Sequence, residues 1–178
     1  MRTVKRRAFF VGMKHGLPIA FGYFPIAVAF GLLAKANGLT AVTSILMSAL
    51  VFAGASQFIA VNLLATGIGC GEIIITTFLV NMRHFLMSAT LAPRLDPQPV
   101  KVKSLIAFGI TDETFSLVAM EPEHNRNPGF VAGVNTAAYL GWVLGTVAGA
   151  MLVNGLPAIL QSSMGLALYA MFIGLLIP

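Results

Sequence analysis

Two adjacent acids and one arginine are the side chains here best suited to chemistry in an apolar setting. Asp112 and Glu113 lie in residues 104–120, SLIAFGITDETFSLVAM, a stretch otherwise apolar or small. Arg83 and His84 lie in residues 72–91, EIIITTFLVNMRHFLMSATL, with Asn81 just before them. In lipid, an Asp at a helix centre costs about 2.5–3.5 kcal/mol, while each Leu, Ile or Phe offsets only about 0.3–0.6 kcal/mol. The seven large apolar residues of 104–120 offset roughly 2–4 kcal/mol on that scale, which does not cover two acids. The stretch therefore needs partners or water inside a helical bundle. Arg83 is the Lys or Arg set deepest in a hydrophobic stretch, so it is the expected partner of Asp112 or Glu113. Asn81, His84 and Ser88 share a helical face by their i, i+3, i+7 spacing, and Arg83 points elsewhere. His84 is a candidate proton relay, although a buried imidazole satisfied by hydrogen bonds is the commoner use.

Such residues need an apolar frame, and the composition supplies one. The chain of 178 residues is 57% hydrophobic and 10% charged, against about 25% charged in soluble domains. It reads as an all-α, polytopic membrane bundle of about six hydrophobic segments. The net charge of +5 does not indicate nucleic acid, because five of the eleven Lys and Arg fall in the first fourteen residues. Beside a hydrophobic stretch, that cluster is a cytoplasmic anchor under the positive-inside rule. Residues 1–15 are expected to be a basic amphipathic segment on the inner face, and residues 16–178 the transmembrane domain. One cysteine, Cys70, excludes an intramolecular disulfide. There is no P-loop, no H-E-x-x-H and no G-x-S-x-G, and the three histidines are scattered. No enzyme activity, cofactor or metal is expected.

Along the chain, residues 17–36 are interrupted by Pro18, Gly22, Pro25 and Gly31. Pro25 should kink or break that helix. Residues 42–65 carry FAGASQF at 52–58, with polar Gln57 at mid-depth, a ligand contact or an interhelical hydrogen bond. Residues 92–103, APRLDPQPVKVK, form a basic loop expected in the cytoplasm. Residues 129–153 hold Gly129, Gly133, Ala137, Gly141, Gly145 and Gly149 at every fourth position, a seam for close helix approach. Residues 156–177 form the last hydrophobic segment.

The charges conflict with a simple count. Three crossings separate the basic N-terminus from the basic loop, and the positive-inside rule wants both inside. Either the second or the third stretch is then broken or re-entrant, which is allowed where backbone lines a cavity. An internal likeness points the same way. Phe52–Phe58 resembles Phe108–Phe115 in its small, polar and aromatic pattern, and Val-Asn follows each at 80–81 and 134–135. Run in opposite directions, the two units would form an inverted repeat with a site near mid-membrane.

Taken together, GLPIAFGYFPIAVAFG, MSALVFAGASQF, VNMRHFLMSATLAPRL, FGITDETFSLV and ALYAMFIGLLIP resemble the AzlC family, large subunits of bacterial branched-chain amino acid exporters. The run VN-x-RH, followed after the basic loop by TDE, is the most specific part. The resemblance implies an inner-membrane, multi-pass exporter of hydrophobic amino acids with its N-terminus in the cytoplasm. It also implies a small hydrophobic AzlD-like partner. Family members usually continue past the equivalent of Ile177-Pro178 with further hydrophobic helices, so the resemblance implies either a truncated product or a shorter relative. Gln57, Asn81, Arg83, His84, Thr111, Asp112 and Glu113 occupy the family's polar signatures.

The expected mechanism has a zwitterionic, apolar amino acid near mid-membrane. Its carboxylate meets Arg83 or free backbone N–H groups at a helix break. Its ammonium meets Asp112 or Glu113. Phe52, Phe58, Phe108 and Phe115 are candidates to line a side-chain pocket. One acid is a candidate carrier of a coupling proton. A passive channel and a non-transporting membrane scaffold are the alternatives.

Overall fold

A computed structural model describes residues 2–95, 97–122 and 127–152. These form seven α-helices and one short 3-10 turn, with no strand among the described residues. The helices are α1 (Arg2–Ala36), α2 (Ala41–Val51), α3 (Gly54–Ala65), α4 (Cys70–Leu91), α5 (Val100–Phe108), α6 (Asp112–Met120) and α7 (Pro128–Leu152). Three are long and apolar enough to cross a membrane: Arg6–Ala36, Cys70–Arg94 and Pro128–Leu152. The expected count of about six segments resolves into these three and two broken pairs, α2–α3 and α5–α6. The sixth stretch, 156–177, lies outside the described residues.

The breaks do not fall where proline predicts. The helix α1 runs on through Pro18 and Pro25, and through the expected boundary at residue 15. Both prolines are exposed along it, and membrane helices tolerate proline by small local adjustments. The second stretch breaks instead at Phe52, whose φ of 46° puts it in the left-handed region. For a bulky non-glycine residue that conformation costs about 1–3 kcal/mol and persists only where packing enforces it. Phe52 is buried, edge-on to Tyr23. The other break lies between Phe108 and Asp112, across Gly109, Ile110 and Thr111.

The chain divides into two compact units. Unit 1 is Met1–Phe21 with Met82–Leu140, and unit 2 is Gly22–Asn81 with Gly141–Pro178. Each long helix contributes to both, and each unit holds one broken pair. The core of unit 1 is Leu91, Ile106, Ile110, Val118, Phe130, Val131 and Val134. That of unit 2 gathers Tyr23, Phe30, Phe58 and Trp142 in edge and stacked ring contacts. Lipid tails are as apolar as Leu, so these contacts hold by close packing and hydrogen bonding. The seam on α7 does this work against α1. Within unit 1, Gly133 lies against the backbone of Phe9 and Met13. Within unit 2, a Cβ on Gly145 would sit 2.5 Å from the Phe24 carbonyl oxygen, so no larger residue fits.

Candidate functional site

In unit 1 the break before α6 is built from side chains that stand in for the missing helix turn. Thr111 caps α6, its Oγ1 accepting from the Thr114 N–H at 3.4 Å. Thr114 answers, its Oγ1 accepting from the Thr111 N–H at 2.8 Å. The freed end of α5 is held from α7, where Asn135 Nδ2 donates to the Ile106 carbonyl at 2.9 Å. Asn135 packs so tightly over Gly109 that a Cβ there would lie 2.6 Å from the Asn135 Cβ. Gly109 is therefore needed for the close approach of α7 to the break.

This break presents the first turn of α6, where Asp112 and Glu113 stand. Arg83, from α4, meets Asp112 with Nη1 to Oδ2 at 2.6 Å. Of the two acids expected as its partner, Asp112 makes this ion pair. A helix N-terminus also favours the carboxylate. Both side chains are about one-third exposed, 31% each, so the pair is within reach of a ligand. Arg83 Nε is buried and has no hydrogen-bond partner, which leaves an edge of the guanidinium unused. Asn135 Oδ1 is likewise buried and unpartnered. His84 and Glu113 are half-buried in the same unit.

The remaining expected residues fall elsewhere. Gln57 and Asn81 belong to unit 2, and Arg83, His84, Thr111, Asp112 and Glu113 to unit 1. Gln57 is fully engaged there. Trp142 Nε1 donates to Gln57 Oε1 at 3.0 Å, and Gln57 Nε2 donates to Ser48 Oγ at 3.0 Å. Ser48 Oγ lies 2.7 Å from Thr146 Oγ1, which donates at 3.1 Å to the carbonyl of Trp142. A hydroxyl has one proton to give. Thr146 spends its proton on Trp142, so Ser48 is the donor to Thr146, and the four bonds close into a ring. Asn81 Oδ1 is buried without a partner.

The four phenylalanines divide in the same way. Phe52 and Phe58 are core residues of unit 2. In unit 1, Phe115 packs on the core, while Phe108 lines a cavity of about 280 Å³ with Tyr139, Asn135 and Gly109. Sequence reasoning gave no site role to Asn135, Thr114, Ser48, Thr146 or Trp142. The bonds of Asn135 to Ile106 and of Trp142 to Gln57 join residues far apart in the chain, so no local pattern signals them. Among the described residues, no three of His, Cys, Asp and Glu come together as a metal site.

The family model described as "AzlC protein" matches residues 18–156. The chain is similar to the inner membrane protein YgaZ of Escherichia coli (strain K12), 33% identical over 177 residues, covering 95% of this chain and 72% of that protein. It is 34% identical over 183 residues to an uncharacterized membrane protein of Archaeoglobus fulgidus, covering 100% of this chain and 79% of the relative. A branched-chain amino acid transport protein of Bacillus subtilis (strain 168) is 28% identical over 144 residues, covering 80% of this chain and 56% of its own length. No solved structure matches the chain.

Proposed function

The chain belongs to the AzlC family, and from that premise we propose that it exports apolar amino acids across the inner membrane. In this reading it is the large subunit of a two-component transporter whose small partner is a hydrophobic, AzlD-like chain. The observation that carries the proposal is the Arg83–Asp112 pair at a helix break, with the Arg83 Nε edge unused. A zwitterion is the natural competitor of such a pair. Its carboxylate takes the guanidinium edge, where planar donors match planar acceptors. Its ammonium takes Asp112, and each protein charge exchanges one partner for another without being left bare. The ground state is thus a closed latch that the substrate opens by replacing both halves. Glu113 and His84, beside the pair in sequence, are the groups we assign to proton coupling.

The chain path supports a cytoplasmic N-terminus. At 1.5 Å per residue, the 11 residues of α2 and the 12 of α3 span roughly 16–18 Å each, short of the ~30 Å hydrocarbon core. The end of α1, the pair α2–α3 and the start of α4 all belong to unit 2. Because each arm falls short of a crossing, we read the pair as re-entrant, with α1 and α4 as the two crossings. On this reading the basic N-terminus and the basic loop face one side. The same argument makes α5–α6 re-entrant within unit 1. This satisfies the positive-inside rule that a plain count of segments violated.

The test is efflux of labelled L-leucine from cells lacking their own exporters, with the small subunit co-expressed. Wild-type chain should give saturable efflux, and Asp112→Asn should stop it while membrane levels hold. Non-saturating flux would mean a passive channel, and unchanged efflux in the variant would remove the pair from the pathway.

A further inference from the structure

The transport reading leaves open where an apolar amino acid first engages the protein. Unit 1 contains a second cavity, of about 240 Å³, formed by the end of α4, the turn after it and α5. Its walls include Leu91, Ile106 and Ile110, members of the unit 1 core. Its polar lining is Ser88, Gln98, Ser104 and Lys103, and among the described lining residues Lys103 is the one charge. Pockets for drug-sized ligands run from about 300 to 1,000 Å³, so this volume suits a smaller guest. A guest that matches an apolar floor, one ammonium and the neutral oxygens of Ser88, Gln98 and Ser104 has an apolar body, one carboxylate and a donor group for those oxygens, as an apolar amino acid has. The cavity of about 280 Å³ beside Asn135 has no charged lining residue, and so nothing to hold a carboxylate.

Its place in the chain adds direction. Lys103 is the last residue of the basic segment 92–103, while Ile110 is the residue before Thr111 and Asp112. The cavity thus connects residues of the basic, cytoplasm-assigned segment to residues of the break. We infer that it is a loading site, in which an apolar amino acid rests its side chain on Leu91, Ile106 and Ile110 and its carboxylate on Lys103 before reaching Arg83 and Asp112. This rests on the transport reading for its role, though not for its chemistry. No covalent step is involved.

The test places a thiol in the cavity wall by Ala107→Cys in a Cys70→Ser background. Labelling by a small thiol reagent is followed in proteoliposomes containing the whole chain. L-Leucine should slow labelling, while leucinol, which lacks the carboxylate, should not. Lys103→Gln should raise the half-protecting leucine concentration about tenfold, the loss of one charge-assisted hydrogen bond, and Lys103→Arg should restore it. Asp112→Asn should leave protection intact while stopping efflux, which separates this site from the latch. No protection by leucine in a chain that still exports it would overturn the loading site and leave transport standing. Protection without any export by the parent chain would overturn the transport reading and leave an amino acid site. Equal protection in Lys103→Gln would overturn the role of Lys103. Protection by phosphatidylglycerol alone would make the cavity a lipid site and overturn the inference.

Discussion

The two helix breaks solve one local problem with opposite chemistry. Each interrupts an apolar pair, each sets a glycine against a side chain of α7, and each unit adds polar side chains that interact with one another. In unit 2 those groups are neutral, and they close on themselves in a ring through Trp142, Gln57, Ser48 and Thr146. In unit 1 they are charged and incomplete: Arg83 holds Asp112, yet Arg83 Nε and Asn135 Oδ1 remain buried and unpartnered. A closed ring admits a ligand only by breaking bonds it already has. An incomplete one gains bonds when a ligand arrives, because an unmade buried hydrogen bond costs about 1–3 kcal/mol. The lesson is that a helix break alone does not mark a site; the unsatisfied polar atoms around it do.

The sharpest way to break this contrast is to remove charge from unit 1. Asp112→Asn or Arg83→Ala should lower efflux at least tenfold, equivalent to about 1.4 kcal/mol in the limiting step. Arg83→Lys should recover little, since an ammonium lacks the planar fork. Efflux from vesicles, normalised to protein in the membrane, measures both. Gly109→Ala should come next. Its Cβ would meet Asn135 at 2.6–2.8 Å and push that side chain off the Ile106 carbonyl. Transport should fall several-fold, with stability in detergent lowered by about 0.5–1.5 kcal/mol for the lost Asn135 bond, since the Ile106 carbonyl still accepts from the Gly109 N–H. If Gly109→Ala is silent, Asn135 does not hold the break.

Unit 2 should respond in the other currency. Gln57→Leu strands the Trp142 N–H and opens the ring, so it should cost about 1–3 kcal/mol of stability. Efflux per folded molecule should stay within about twofold, because no charge in the latch is touched. A large loss of efflux at unchanged stability would move Gln57 back into the substrate path and erase the contrast.

How much of this was readable from the residues follows from what is local. That Arg83 would seek an acid was legible, because the free energy of a bare charge in lipid is too large to leave unpaired. Which acid was not: Asp112 and Glu113 differ by about 100° around α6, and only the geometry of the break decides between them. The small, polar pattern shared by 52–58 and 108–115 falls on both breaks, though as an internal likeness it locates neither. The third stretch, the other one expected to break, is the continuous α4. Pro25 breaks no helix, because proline perturbs a single turn that a membrane helix can absorb. A true break needs a donor or acceptor from another helix. Asn135 reaches Ile106 across 29 residues, and Trp142 reaches Gln57 across 85, so neither pairing leaves a mark in the local sequence.

The smallest predicted effect separates capping from charge within unit 1. Thr111→Val keeps the β-branched shape and removes the hydroxyl that accepts from the Thr114 N–H. Loss of an N-cap costs typically about 1 kcal/mol, while Thr111→Ser should cost only a few tenths. The contact at 3.4 Å is long, which places the loss at the lower end of that range. Thr114 Oγ1 still accepts from the Thr111 backbone in the valine variant, so the first turn of α6 should stay in place. Asp112 would then remain opposite Arg83, and efflux should fall less than twofold while the melting temperature drops measurably. If Thr111→Val instead abolishes efflux without lowering the melting temperature, its hydroxyl touches the substrate, and the latch has three members rather than two.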